Sequence, residues 1–218
     1  MSTSSPITTA TAPVDLAEAR RRLWELTCNV VLAVLFLRFA VVHGQAAWET
    51  LRLSSFVLLA KVSIDVYFFL TRNLPKGVSL SAYDWVIGIA GTFAIVLFQP
   101  VAEAQDQWIG HGLQWAGMIL QILGILSLNR SFGIVAANRG VKSTGMYRYI
   151  RHPLYFSYTV SFLGYLINHP SCWNGMIYAG AVCLWILRLL AEERFLMQDA
   201  EYRSYAERVR SRLIPGIF

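Results

Sequence analysis

The chain has 218 residues, of which 56% are hydrophobic and 15% charged, and its formal net charge is +6. A soluble domain carries about 25% charged residues, so the composition excludes an ordinary soluble fold and points to one membrane-embedded domain. The positive balance by itself would fit a nucleic-acid binder. The basic residues, however, gather in loops between apolar runs, as on the cytoplasmic side of a membrane protein, and no nucleic-acid partner is expected.

In chain order, Met1–Pro13 is rich in Ser and Thr and has no apolar centre, so it does not read as a signal peptide. Residues 1–22 are expected to form a disordered cytoplasmic tail. Six apolar segments follow, at about 24–43, 51–70, 84–100, 112–128, 154–168 and 173–191. About 20 helical residues cross a hydrocarbon core of about 30 Å. The expected fold is therefore all-α, a polytopic transmembrane bundle of about six spans, with helices over 23–128 and a functional region over 129–218. The second segment carries Lys61 and Asp65 four residues apart, on one helical face. Inside a membrane such a pair is costly unless it faces the bundle, and an ion pair that fixes packing is its plain reading. The tight link Asn168–Ser171 predicts a helical hairpin from the last two segments. Beyond it, Leu189–Leu213 reads as an extension of the sixth helix followed by an amphipathic helix on the membrane surface, stopped by Pro215.

Charge bias sets the orientation. Arg20–Arg22, Arg72 and Lys76, then Arg130, Arg139, Lys142, Arg148 and Arg151, and finally Arg194, Arg203, Arg208, Arg210 and Arg212 fall on one side. The intervening loops hold Arg52 against Glu49, Glu103 and Asp106. The chain is expected to be an integral multi-pass protein with both termini and its active site in the cytoplasm. His43, His111 and His169 then lie on the far side, as loop or interface residues.

Two patches carry the chemistry. The first is Gly145–Tyr155, which gathers Tyr147, Tyr149, Tyr155, Arg148, Arg151 and His152 at the end of a long loop containing Gly133, Gly140 and Gly145. Long glycine-containing loops on a rigid scaffold often hold ligands. Pro153 fits the first turn of a helix, whose positive end suits an anion. An interfacial aromatic belt is the structural alternative for the tyrosines. The second patch is Arg188, Glu192 and Glu193. Arg188 and Glu192 share a helical face and can pair; alternatively Arg188 can hold a substrate's anionic group and Glu192 can accept hydrogen bonds from a ribose or an amine. The three cysteines, Cys28, Cys172 and Cys183, lack any ligand spacing, with Cys28 and Cys183 expected as buried small hydrophobes and Cys172 as a loop thiol. No metal site is expected. Hydrolase, nucleotide-loop and dinucleotide fingerprints are also absent from the sequence.

Together the patches resemble the isoprenylcysteine carboxyl methyltransferase family, within a wider group that includes phospholipid methyltransferases. The matching residues are Gly145 and Tyr147; Arg151, His152, Pro153 and Tyr155; Arg188, Glu192 and Glu193; Tyr202 and Tyr205; and Pro215. The likeness covers about 130–218, and the earlier helices carry no such motif. It implies S-adenosylmethionine as cofactor. Tyr147, His152, Pro153, Leu154 and Tyr155 would line its site, with Glu192 and Glu193 in contact and Gly140, Val141 and Lys142 running alongside. Arg188 and Glu192 are the catalytic candidates, Arg188 facing the acceptor. The family usually has an aliphatic residue where Lys142 stands, and often Gly where Ser157 stands. The implied activity is methylation of a carboxylate on an amphiphilic acceptor, prenylcysteine-like or lipid, reached from the bilayer. A phospholipid N-methyltransferase and a nicotinamide-dependent membrane reductase related to sterol reductases are the alternatives.

Overall fold

A computed structural model describes residues 16–71, 77–78, 81–128, 137–138 and 141–218. The described residues are almost wholly helical. α1 runs Leu16–Thr50, α2 Leu53–Thr71, α3 Ala82–Phe93, α4 Trp108–Leu128, α5 Pro153–Asn168, α6 Cys172–Leu196 and α7 Ala200–Arg208. A 3-10 turn, Ala94–Leu97, extends α3, and a second, Gly145–Arg148, precedes α5. A minimal antiparallel ladder joins β1, Gly77–Val78, to β2, Ala137–Asn138, with Gly77 opposite Asn138. α1 begins at Leu16, inside the tail expected over 1–22; the rest of that tail, residues 1–15, lies outside the described residues.

The six apolar segments map onto helices, except that 51–52 precede α2 and 98–100 run past the 3-10 turn that follows α3. Two described helices, α4 and α6, are long and apolar enough to cross a bilayer; Ala82–Leu97 is apolar but shorter. Length and composition thus support an all-helical chain with two candidate spans, fewer than the six expected.

Close packing of α4 on α5 sets the scaffold. Gly110, Gly117 and Gly124 repeat every seventh residue of α4, so one face lets the α5 backbone approach. A Cβ on Gly117 would stand 2.5 Å from Ser161 Cβ, and one on Gly124 would stand 2.8 Å from Leu154 Cδ2. From the other side, a Cβ on Gly164 would stand 2.7 Å from Gln114 N. Around this pair lies a core of Phe36, Phe39, Leu58, Phe98, Ile125, Phe162, Tyr165, Trp185 and Leu189.

At one end a polar cluster clips four elements together. Arg52 donates to Asp106 Oδ1 (2.8 Å from Nε), to Val101 O and to Asn168 O. His169 accepts from Val101 N at 3.0 Å on Nδ1 and meets Ser54 Oγ at 3.1 Å through Nε2. His43, His111 and His169 all lie at this end: His43 contacts Phe98 O and Tyr165, and His111 pairs with Asp106 at 3.3 Å. Cys172 and Cys183 are exposed, which corrects the expectation that Cys183 is buried: it sits on an outward face of α6.

Candidate active site

His169, Pro170 and Ser171 connect α5 to α6, with Ser171 Oγ capping α6 by accepting from Asn174 N at 3.0 Å. The two helices then touch in antiparallel order. Asn174 donates to His169 O, Tyr158 and Phe162 meet Trp185, and Tyr155 reaches Glu192. This brings the first turn of α5 against the last turns of α6, so the two sequence patches meet in space.

The meeting point is an aromatic and ionic cluster. Tyr155 donates its hydroxyl to Glu192 Oε1 at 2.7 Å. Arg188 Nε lies 3.5 Å from the same oxygen, one helical turn away, and its guanidinium covers the Tyr155 ring at 5.5 Å. Arg188 Nη1 also donates to Thr92 Oγ1 of α3 at 3.1 Å. His152 Nδ1 stands 3.8 Å from Glu192 Oε2, which no hydrogen bond reaches among the described residues. The Glu192 side chain is 20% exposed, whereas Arg188, His152 and Tyr155 are buried. Glu192 is therefore a partly open acceptor beside an aromatic face.

Glu193 has a different environment, although it is the next residue. The 100° step between adjacent helical residues turns it toward the loop and tail. Its Oε1 accepts from Arg151 Nε (2.9 Å) and Tyr202 Oη (2.6 Å) and meets His152 Nε2 at 2.9 Å. Its Oε2 accepts from Arg151 Nη2 (2.7 Å) and Arg212 Nε (3.4 Å). A proton on His152 Nε2 satisfies this contact, and Nδ1 faces Glu192. The buried, two-pronged Arg151–Glu193 pair thus fixes the histidine that borders the open acid.

The loop and tail wrap this core. Gly145 has φ of +60°, and a Cβ there would collide with Ser127 Oγ, which in turn accepts from Met146 N. Tyr147 is buried against Tyr202, Tyr205 and Ala206 with Val141 alongside, and its carbonyl accepts the Tyr205 hydroxyl at 2.6 Å. Burial, reinforced by nearby Glu192, pushes the Tyr147 phenol well above its usual range, so it stays a neutral donor. Burial and the Glu193 carboxylate do the same to Tyr202. The face of α7 that carries Tyr202, Tyr205 and Ala206 thus packs on protein. Residues 211–212 strap the entrance to α5: Arg151 N donates to Ser211 O at 3.0 Å and His152 N to Arg212 O at 2.8 Å.

Of the expected site residues, Tyr147, His152, Tyr155, Arg188, Glu192 and Glu193 converge. Pro153 starts α5, and Leu154 packs into the core against α4. Val141 belongs to the Tyr147 cluster, and Lys142 is half-buried. Gly140 lies outside the described residues. Sequence reasoning quoted Arg151 and Tyr202 but gave them no role; both serve Glu193. It passed over Tyr158, whose ring meets Tyr155 edge-on at 6.3 Å. The three-residue spacing of Tyr155 and Tyr158 on one helix was the available signal. Next to Arg188 a cavity opens between α2, α3, α5 and α6, lined by Lys61, Asp65, Thr92, Tyr158 and Phe162 among others. No group of three or more His, Cys, Asp or Glu side chains suited to a metal occurs among the described residues.

No curated protein matches the chain. The model of the phospholipid methyltransferase family matches residues 105–202, a stretch that runs through α4, α5 and α6 and includes the Tyr155, Arg188, Glu192 and Glu193 cluster. Over this stretch the chain is similar to the phospholipid methyltransferase family, part of the membrane methyltransferase group to which its motifs point.

Proposed function

We propose that the protein is an S-adenosylmethionine-dependent methyltransferase that methylates a carboxylate on an amphiphilic acceptor. The observation that carries this reading is the open Glu192 acceptor between Tyr155, His152 and Arg188, inside the family match. The residues fit the cofactor: Glu192 Oε2 has accepting capacity for a hydroxyl, and the Tyr155 and Tyr147 rings border it. Val141, Lys142, Pro153 and Leu154 would line the remainder. Bound there, S-adenosylmethionine supplies an electrophilic methyl on a sulfonium.

The chain's own contribution is alignment and charge placement. Arg188 orients the acceptor's anionic group, and Glu193 acts as a positioning residue through Arg151 and His152. A carboxylate acceptor would need no base from the chain, because it is nucleophilic as it stands: methyl transfer from the sulfonium would exchange the C–S bond for a C–O bond, cancel the two charges and move no proton. Phospholipid amine methylation is the second reading, favoured by the family whose model matches. An amine must first lose a proton, and Glu192, with His152 Nδ1 at 3.8 Å, is the group at the site that could take it. The six apolar segments are read as spans with both termini and the site cytoplasmic, supported by the one-sided basic residues.

The test is equilibrium binding of S-adenosylmethionine to purified protein, followed by methyl labelling of membranes. Binding should weaken at least tenfold in Glu192→Gln. Labelled methyl esters are released by mild alkali and N-methyl groups are not, which separates the two acceptors. Absence of binding, or tighter binding of a nicotinamide cofactor, would overturn the reading.

A further inference from the structure

The cavity beside Arg188 is built from an unusual set of groups for the middle of a helical bundle. Lys61, on α2, is fully buried. Its ammonium carries three donors, and Asp65 Oδ2 at 3.3 Å is its one hydrogen-bond partner among the described residues. Its other neighbours are ring faces: Tyr158 and Phe162, each with its centroid 4.7 Å from Nζ. Asp65 is more fully engaged, since its Oδ1 accepts from Gln121 Nε2 at 2.6 Å. The same cavity is lined by Thr92 and by Arg188.

The charges facing the space are therefore two cations and one carboxylate, and the carboxylate has both oxygens occupied. A purely structural Lys–Asp pair would be expected to close on itself, because buried charge left beside empty space is costly. Here the pair borders a cavity that is rich in donors and poor in free acceptors, flanked by aromatic and aliphatic side chains. That chemistry fits an anionic oxygen cluster on an apolar stem.

We propose that this cavity is the head-group subsite for the methyl acceptor, holding a carboxylate or phosphate of an amphiphile between Lys61 and Arg188 while its apolar part lies along Phe162. The proposal rests on the methyltransferase reading for the identity of the ligand as acceptor, but not for the binding itself. Arg188 links the two compartments, since it touches Thr92 on the cavity side and Glu192 on the cofactor side.

The test uses purified full-length protein in a neutral maltoside detergent, titrated with octyl phosphate, octanoate, 1-octanol and octylamine. At least one of the two anions should bind at least tenfold tighter than the alcohol or the amine, and the tighter anion identifies phosphate or carboxylate as the group read. The double variant Lys61→Met/Asp65→Asn removes both charges together, so no buried charge is stranded. It should keep S-adenosylmethionine binding and lose the anion preference. Equal binding of octanol by the native protein, or survival of the preference in the double variant, would overturn the proposal. The native head-group order decides the matter should the variant fail to fold. Cofactor binding without anion preference sinks the subsite alone, whereas anion preference without cofactor binding sinks the methyltransferase reading alone.

Discussion

Glu192 and Glu193 are adjacent acids with unlike surroundings, and that difference gives a direct prediction. Glu193 is buried and accepts from both prongs of Arg151 and from Tyr202, with His152 beside it. Removing one member of a buried pair strands the other charge, at a cost of about 3–5 kcal/mol. Glu193→Ala should therefore lower the thermal midpoint in detergent by many degrees and abolish activity through loss of fold. Glu192 is partly open and its guanidinium partner stands at 3.5 Å. Glu192→Gln keeps an oxygen acceptor for the Tyr155 hydroxyl and should cost less stability than Glu193→Ala while weakening cofactor binding. Thermal denaturation and binding isotherms on the two variants check this, and equal loss of stability in both would contradict the division of roles. His152 joins the two acids through its two nitrogens, so His152→Gln should fall between them, with lost binding and a moderate loss of stability.

Packing between elements sets the second group of expectations. The α4–α5 contact depends on having no side chain at Gly117, where a Cβ would stand 2.6 Å from Ser161 N. The obstacle is backbone, which cannot rotate away. Gly117→Leu should separate the helices and displace Leu154 and Tyr155, at a cost of about 1–3 kcal/mol or more. A lowered thermal midpoint together with weaker cofactor binding would show it. The connection between α5 and α6 responds to pH. Burial, with help from the nearby Arg52 charge and against the opposing Asp106 carboxylate, lowers the His169 pKa to about 4 from an ordinary 6.5. The geometry agrees, because Nδ1 accepts the Val101 N–H and faces Arg52, leaving no place for a second proton. Between pH 6.5 and about 4 the unfolded chain binds the proton and the folded chain does not. Stability should therefore be full above 6.5 and fall as the pH drops through this window, by at most roughly 3 kcal/mol. His169→Asn should flatten that slope in thermal unfolding measured from pH 7.5 to 4.5.

At the scale of the molecule, the helices were legible because each apolar run is bounded by polar or turn-forming residues, whereas the seven-residue glycine repeat of α4 gains its meaning only once α5 is seen against it. The length of α1 was not, since its N-terminal flank is made of Ala, Glu, Arg and Leu, which extend a helix without any apolar signal. The partner of α7 was also hidden: an amphipathic face suits lipid or protein equally, and only the fold shows that it covers Tyr147. The Arg151–Glu193 bridge spans 42 positions, and spacing rules pair only close neighbours on one helix. Lys61 and Asp65 were visible as a pair, but the cavity they border needs Arg188 and Tyr158 from other helices. Membrane orientation is the feature on which charge pattern and structure can be brought to one test. The active cluster and the α5–α6 connection lie at opposite ends of α6, a helix of 25 residues long enough to cross a bilayer. Cys172 is exposed at the connection end, and Ser211 lies in the tail beside His152. A single-cysteine protein keeping Cys172, and another carrying only Ser211→Cys, should react with a membrane-impermeant maleimide from opposite faces. Cys172 should label in intact cells, and residue 211 only after the membrane is opened. Labelling of both from one face would show that α6 does not cross, and labelling with the faces exchanged would place the site outside the cytoplasm.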